Sequence, residues 1–432
     1  MTIHVNETSN TFHLQTDHTS YIFRIMENGE AGQIYYGDRI HDQPAYPNLI
    51  SREWRTDNPS LSEEDPNFQT STIKSEYSSL GKGDFRYPAF QLTTENGARI
   101  SEFQYDHYQI IAGKKRLSYL PSTFDETGDD AETLVVAFVD QISGATLHLN
   151  YSIFPHQDVI VKSATFVNSG DNTIVINRAL SAQLDLPDSN YDLIQFSGAW
   201  ARERHLFRNH LRPGIQSISS LRTSSSPQHN PFMMLARPNT TNQAGPVFGF
   251  NLVYSGNFLD SVEVDQYDTT RVLTGINPDE FAWQLAPQAT FQTPEAILSY
   301  TTAGMNQLSQ QMGAFYMHHL INQKYTEQDR PILINNWEAT YFDFDEPKLM
   351  KIVNQAHELG IEMFVLDDGW FGHRDDDHTS LGDWFVDKKK FPNGIEHFAE
   401  QVHNLGMKFG LWFDPEMISI DSDLYRTHPD WM

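Results

Sequence analysis

A chain of 432 residues that is 39% hydrophobic and 12% aromatic carries enough apolar material for two or more domains with proper cores. Its 30 basic residues against 57 acidic ones give a formal charge of −27, which repels phosphate backbones and argues against nucleic acid as a partner, while neutral substrates suit it. With no cysteine there are no disulfides, no thiolate catalysis and no cysteine-bound zinc, and with a polar start and no apolar run of bilayer length neither a signal peptide nor a membrane partner is expected, so the protein reads as cytoplasmic.

From residue 11 to about residue 300 the chain shows short alternating stretches broken by turn residues. Tyr21-Ile22-Phe23-Arg24-Ile25-Met26 runs into Glu27-Asn28-Gly29-Glu30, and Phe90-Gln91-Leu92-Thr93-Thr94 runs into Glu95-Asn96-Gly97. Asn-Gly supplies the positive φ that tight turns need, so both are read as β-hairpins. Further strands are expected at 145–154, 159–167, 173–176, 247–254 and 296–301, which makes this part a large antiparallel sandwich. The stretch 217–231, rich in Ser, Pro, Gln and His, reads as a long surface loop. Over 305–321 the period changes, and Leu308, Met312, Phe315, Tyr316 and His319 recur at three- and four-residue steps, as on an amphipathic connector helix. His318 and His319 on it read as surface or core histidines.

Three strand–helix units follow: a strand at 332–336 with a helix at 346–359, a strand at 361–366 with a helix at 394–405, and a strand at 407–413. Such alternation implies a parallel sheet with right-handed crossovers. A closed barrel of this type uses eight strands and about 250 residues, so residues 326–432 are read as its first part and the chain as a portion of a longer protein. The expected division is a β domain over 1–303, a connector over 304–325 and an incomplete barrel over 326–432.

The ends of these three strands are chemically alike: Asn335-Asn336-Trp337-Glu338, Asp367-Asp368-Gly369-Trp370 and Trp412-Phe413-Asp414-Pro415-Glu416. Each sets polar side chains beside an aromatic face at the end where barrel enzymes place their sites. Carboxylates accept hydrogen bonds from sugar hydroxyls, and tryptophan covers the apolar face of a pyranose. One Asp alone would read as a turn or a helix cap; two before Gly-Trp, with matching neighbours, read as a ligand site at Asp367 and Asp368. Trp337 and Trp412 are open between rim packing and pocket wall. The run His373-Arg374-Asp375-Asp376-Asp377-His378 lacks regular ligand spacing and reads as a solvated loop, so no metal is expected there. Gly382-Asp383-Trp384 fits a rim or a structural turn equally, and Trp200, within 196–204, reads by pattern alone as a core tryptophan.

Read together, ILINNWEATYFDF, MFVLDDGWFG, LGDWFVD, GLWFDPEM and DSDLYRTHPDW, with GDFRYPAF, SGAWARER, SSSPQHNPF and QTPEAILSY before them, resemble the microbial α-galactosidases of glycoside hydrolase family 36. The resemblance implies an amino-terminal antiparallel β-supersandwich followed by the first three βα units of a (β/α)8 TIM barrel. It implies that Asp367 and Asp368 bind galactose hydroxyls on C4 and C6, and that Trp200 reaches across to a neighbouring subunit's sugar in a homotetramer. It further implies retaining hydrolysis of terminal α-galactose from melibiose- or raffinose-type oligosaccharides by two carboxyl groups about 5 to 5.5 Å apart, without metal or organic cofactor. The family's nucleophile lies in a Lys-Trp-Asp motif, and that tripeptide does not occur in residues 1–432, so no catalytic residue is assigned and the chain alone is expected to be inactive. Asp414 stands where relatives often carry Glu. Alternatives are an α-N-acetylgalactosaminidase or galactosyl transferase within the enzyme class, and a non-catalytic galactoside-binding or assembly module outside it.

Overall fold

The turn at Asn28-Gly29 forms as its residues dictate. Gly29 takes φ +80°, and Met26 N–H donates to Glu30 O at 2.8 Å. The strands Thr19–Ile25 and Ala31–Asp38 therefore pair antiparallel with Ile25 opposite Ala31. The structure is a computed structural model and describes residues 2–60, 65–226 and 228–432. The chain divides into two compact units, Met1–Thr326 and Glu327–Met432.

Among the described residues the first unit holds three antiparallel sheets. A four-stranded meander runs through Ile3–Asn6, Thr11–Gln15, Thr19–Ile25 and Ala31–Asp38. A ten-stranded sheet runs from Arg202–His210 at one edge to Phe103–Ala112 at the other, and a six-stranded sheet is built around the long strand Ile174–Leu186. All three contribute to one apolar core: Phe12, Tyr21 and Phe23 from the meander, Tyr151 and Phe166 from the large sheet, Ile176 and Leu184 from the third. The central strand Glu295–Thr301 shows why its run is almost uniformly apolar. Ala296 and Leu298 face this core, while Ile297 faces a second one under the helix Met305–His319, which buries Leu308, Met312 and Phe315.

Two sequence expectations are corrected. The Glu95-Asn96-Gly97 turn forms, with Gly97 at φ +84°, but Phe90–Thr93 pairs with Ile174–Leu186 and the next strand, Phe103–Ala112, belongs to the ten-stranded sheet, so there is no hairpin. A turn signal sets the local bend but not the partner; the 13-residue strand Ile174–Leu186 offers Phe90–Thr93 a long antiparallel ladder, and the residues after the turn are exposed. The stretch 217–231 is not one loop: its start lies in the strand Gly214–Ser219, paired with Phe258–Val264, and its end in His229–Ala236; Pro227 lies outside the described residues. Polar side chains are compatible with such strands because several of their positions are exposed or half-buried.

Buried charge in the first unit is organised as pairs. Arg271, fully buried, donates from Nε to Asp185 Oδ1 and from Nη2 to Asp84 Oδ2, both at 2.8 Å, and Arg86 holds Asp84 from the other side. These partners keep the Asp84 carboxyl at about 2 against the opposing effect of burial. Asp260 differs. It is 1% exposed, its Oδ1 accepts from Thr274 Oγ1 at 2.5 Å, and its Oδ2 has no partner among the described residues.

Burial pushes Asp260 up to about 7. A carboxyl raised in the folded state gives its full stability below its unfolded value near 3.8 and loses it as pH rises through 7. Asp260→Asn keeps the shape without the charge. Urea unfolding should therefore show the variant gaining on the natural chain between pH 4 and pH 8, by about 4 kcal/mol in all; a pH-independent difference would contradict this.

Candidate functional site

In the second unit Leu333–Asn335, Met363–Leu366 and Lys408–Leu411 form a parallel three-stranded sheet in which Asn335, Val365 and Gly410 lie side by side. Phe364 and Leu366 point to one face and are fully buried in the cluster that includes Leu349 and Val353 of the helix Glu346–Glu358 and Phe398 and Val402 of the helix Ile395–Asn404. Asp345 starts the first of these helices by accepting Lys348 N–H at 2.9 Å. Val365 points to the other face, as does Gly410, where an added Cβ would meet Met363 Cε at 2.7 Å and Val365 Cγ2 at 3.3 Å. Carried one step past the strand end, the alternation puts Asp367 on this second, more open face, while Asp368, two residues past the strand, lies in a bend.

Asp367 is half-buried; its N–H donates to Asn336 Oδ1 at 2.9 Å and its own Oδ1 accepts Asp368 N–H at 2.8 Å. Asn336, fully buried, thus ties the first strand end to the second, and its amide is held in turn by Thr340 Oγ1 at 2.9 Å. Asp368 is buried and takes Arg374 in a two-pronged pair, Nε to Oδ1 at 2.6 Å and Nη2 to Oδ2 at 2.8 Å. Trp370 Nε1 donates to Trp412 O at 3.0 Å, which ties the second strand end to the third.

Gly369 lets this corner close. Its φ is +97°, and an added Cβ would meet Phe342 Cδ1 at 3.1 Å and Phe344 Cε1 at 3.3 Å. Lys390 braces it from below, donating to Gly369 O at 2.8 Å and Arg374 O at 3.1 Å. After the third strand, burial and then the hydrogen bond and charge of Glu416 push Asp414 above the usual carboxylate range, while Arg374 opposes them.

Of the residues singled out from sequence, Asp367, Asp368, Trp337 and Trp412 follow the carboxyl ends of three adjacent strands. Trp337 is partly buried and edge-on to Tyr341 and Phe342 at 5.2 and 5.1 Å; Trp412 is partly buried and lies parallel to Phe371 at 6.4 Å. Trp200 belongs to the other unit. It sits at the turn between Asp192–Ala199 and Arg202–His210 and is 87% exposed, which overturns its reading as a core tryptophan. Arg374 and Lys390 were not singled out, and Asn336 only as part of its strand end. Arg374 is hidden in a charged run that reads as solvated, yet it is 4% exposed; an arginine six residues beyond an aspartate has no periodic signal that could have marked it.

In parallel strand–helix units, ligand sites gather at the carboxyl ends of the strands, where this unit sets its carboxylates and tryptophans. Residues 29–286 match the Glycosyl hydrolase family 36 N-terminal domain and residues 290–432 match Melibiase, and the chain belongs to glycoside hydrolase family 36. It is 44% identical over 434 residues to the α-galactosidase AgaA of Geobacillus stearothermophilus, covering 100% of this chain and 59% of that protein. A solved α-galactosidase from Lactobacillus brevis is 74% identical with a TM-score of 0.97, over 99% of this chain and 58% of that one. A variant of AgaA solved with raffinose is 44% identical with a TM-score of 0.94, over 98% and 58%. The chain thus spans less than two thirds of the length of these relatives.

Ala at position 369 must take a strained backbone against two rings, whereas at Gly360, φ +81°, an added Cβ meets nothing within 4 Å. Gly369→Ala is expected to lower the stability of the second unit by about 1 to 3 kcal/mol, and by more than Gly360→Ala does, in denaturant unfolding followed by tryptophan emission. Equal costs would contradict the close approach at Gly369.

Proposed function

We propose that this chain is the galactose-recognising portion of an α-galactosidase that removes terminal α-linked galactose from raffinose- and melibiose-type oligosaccharides. The observation that carries the reading is the placement of Asp367, Asp368, Trp337 and Trp412 just past the carboxyl ends of the three parallel strands. Asp367 offers carboxylate oxygens on the open face to hydroxyl donors, and the tryptophans supply apolar surface for the sugar's C–H face. Relatives solved with raffinose and stachyose support the substrate class. The three strand–helix units are, in this reading, the first three of a (β/α)8 barrel, and the first unit is a β-supersandwich that carries Trp200 toward a sugar bound by another copy in a tetramer.

Cleavage on this reading is retaining, with one carboxylate attacking the anomeric carbon and a second serving as acid and then base. Neither falls among these residues, since no Lys-Trp-Asp occurs in them. Asp367 and Asp368 are binding groups: one caps its neighbour's N–H and the other is paired with Arg374, and side chains diverging from adjacent positions cannot flank one bond. No metal or organic cofactor has a part in this chemistry.

The purified 432-residue chain should bind galactose, detected by tryptophan emission, and should not turn over a chromogenic α-galactoside. Asp367→Ala should weaken binding by about tenfold or more, the worth of a charged hydrogen bond. Turnover by this chain alone would sink the assignment of the cleaving groups, and galactose binding unchanged in Asp367→Ala would sink the site.

A further inference from the structure

The two adjacent acids are held in different ways, and the difference points to Arg374. Asp367 keeps one carboxylate oxygen on its neighbour's N–H and has no cationic partner among the described residues, whereas both oxygens of Asp368 are fixed by one guanidinium. Both members of that pair are buried, so their geometry is not averaged by solvent. Each carboxylate oxygen can accept about two hydrogen bonds, so the pair occupies half of the capacity of Asp368 and leaves one acceptor direction on each oxygen.

The simplest structural account is that Arg374 serves to anchor its loop. The loop is anchored without it. His373 N–H donates to Ser380 Oγ at 3.0 Å, Ser380 N–H donates to Asp421 O at 2.9 Å, Gly372 N–H donates to Phe385 O at 2.7 Å, and Lys390 Nζ holds Gly369 O and Arg374 O. The guanidinium is itself positioned, with Nη1 donating to Thr379 O at 2.6 Å and its plane near the Phe342 and Phe371 rings, 5.6 and 5.8 Å from the centroids. Charges around the pair are Asp367 on the same turn, Lys390 against the loop backbone, Asp375 on Lys390 at 3.1 Å, and Asp414 with Glu416 from the segment after the third strand, Asp414 feeling both Arg374 and Asp368.

We infer that Arg374 is a positioning residue that locks the Asp368 carboxylate in one orientation and thereby sets the preference for galactose over its C4 epimer glucose. The inference rests on the galactose reading of the site. A carboxylate free to rotate accepts an axial or an equatorial hydroxyl with little distinction; one clamped by two parallel N–H···O bonds presents its remaining acceptors in fixed directions. Asp367, without such a clamp, contributes affinity, and Asp368 contributes selectivity.

The test is a titration of the full 432-residue chain with galactose and with glucose, for the natural protein, Arg374→Lys and Arg374→Met. In Arg374→Met the ratio of galactose to glucose affinity is expected to fall about tenfold, through lost galactose affinity with glucose affinity little changed. Arg374→Lys, which keeps the charge and loses the two-pronged geometry, should fall between the two. An unchanged ratio in Arg374→Met, or equal losses for both sugars, overturns the inference. Should Arg374→Met fail to fold, Arg374→Lys decides alone, with an unchanged ratio again overturning it. No galactose binding by the natural chain overturns the galactose reading itself, a different result from galactose binding that ignores position 374.

Discussion

The parallel ladder that sets Asn335, Val365 and Gly410 side by side is the constraint on which the site depends. Register in a sheet has period two, and a slip of one residue would turn Asp367 into the helix layer and expose Leu366. Here the slip is opposed by Phe364 and Leu366, both fully buried against the helices, and by two ties across the strand ends, Asn336 to Asp367 and Trp370 to Trp412. The apolar face of the sheet thus fixes where the polar residues beyond its end must point.

Both units solve the same electrostatic problem. A chain of formal charge −27 holds a surplus of carboxylates, and those that leave water need a cation or a proton. In the first unit Asp84 and Asp185 share Arg271, while Asp260 has only a hydroxyl and is pushed toward its neutral form. In the second unit Asp368 has Arg374, and burial beside Glu416 pushes Asp414 the same way as Asp260. Such pairs contribute little net stability, but removing one partner leaves the other stranded, so they fix geometry more than they add free energy.

Much of this was legible in the sequence where burial is one-sided or complete. The helix at 305–321 and the three strands with polar-aromatic ends were read from periodicity and from the abrupt change at Asp367. Illegible parts have identifiable causes. The strand Ile174–Leu186 is legible in the sequence only over 173–176; it continues through Gln183 and Asp185, whose partners Ser78 and Arg271 come from distant sequence. Exposed edges such as Arg202–His210 alternate in nothing, having polar surroundings on both sides. The 95–97 turn was visible but its strand's partner was not, since pairing is decided by the whole sheet. Arg374 was hidden for the same reason: a buried cation surrounded by three aspartates and two histidines looks like solvent-facing charge until the fold brings Asp368 to it.

The central claim is that a sugar lies against the ends of these three strands. Hydroxyl-radical footprinting of the chain with and without saturating galactose addresses it directly, because tryptophan side chains are reactive and report solvent access one residue at a time. Protection of Trp337 and Trp412, with Trp54 and Trp283 unaffected, is the result the account requires. Unchanged reactivity at both strand-end tryptophans under conditions where galactose is bound would contradict it.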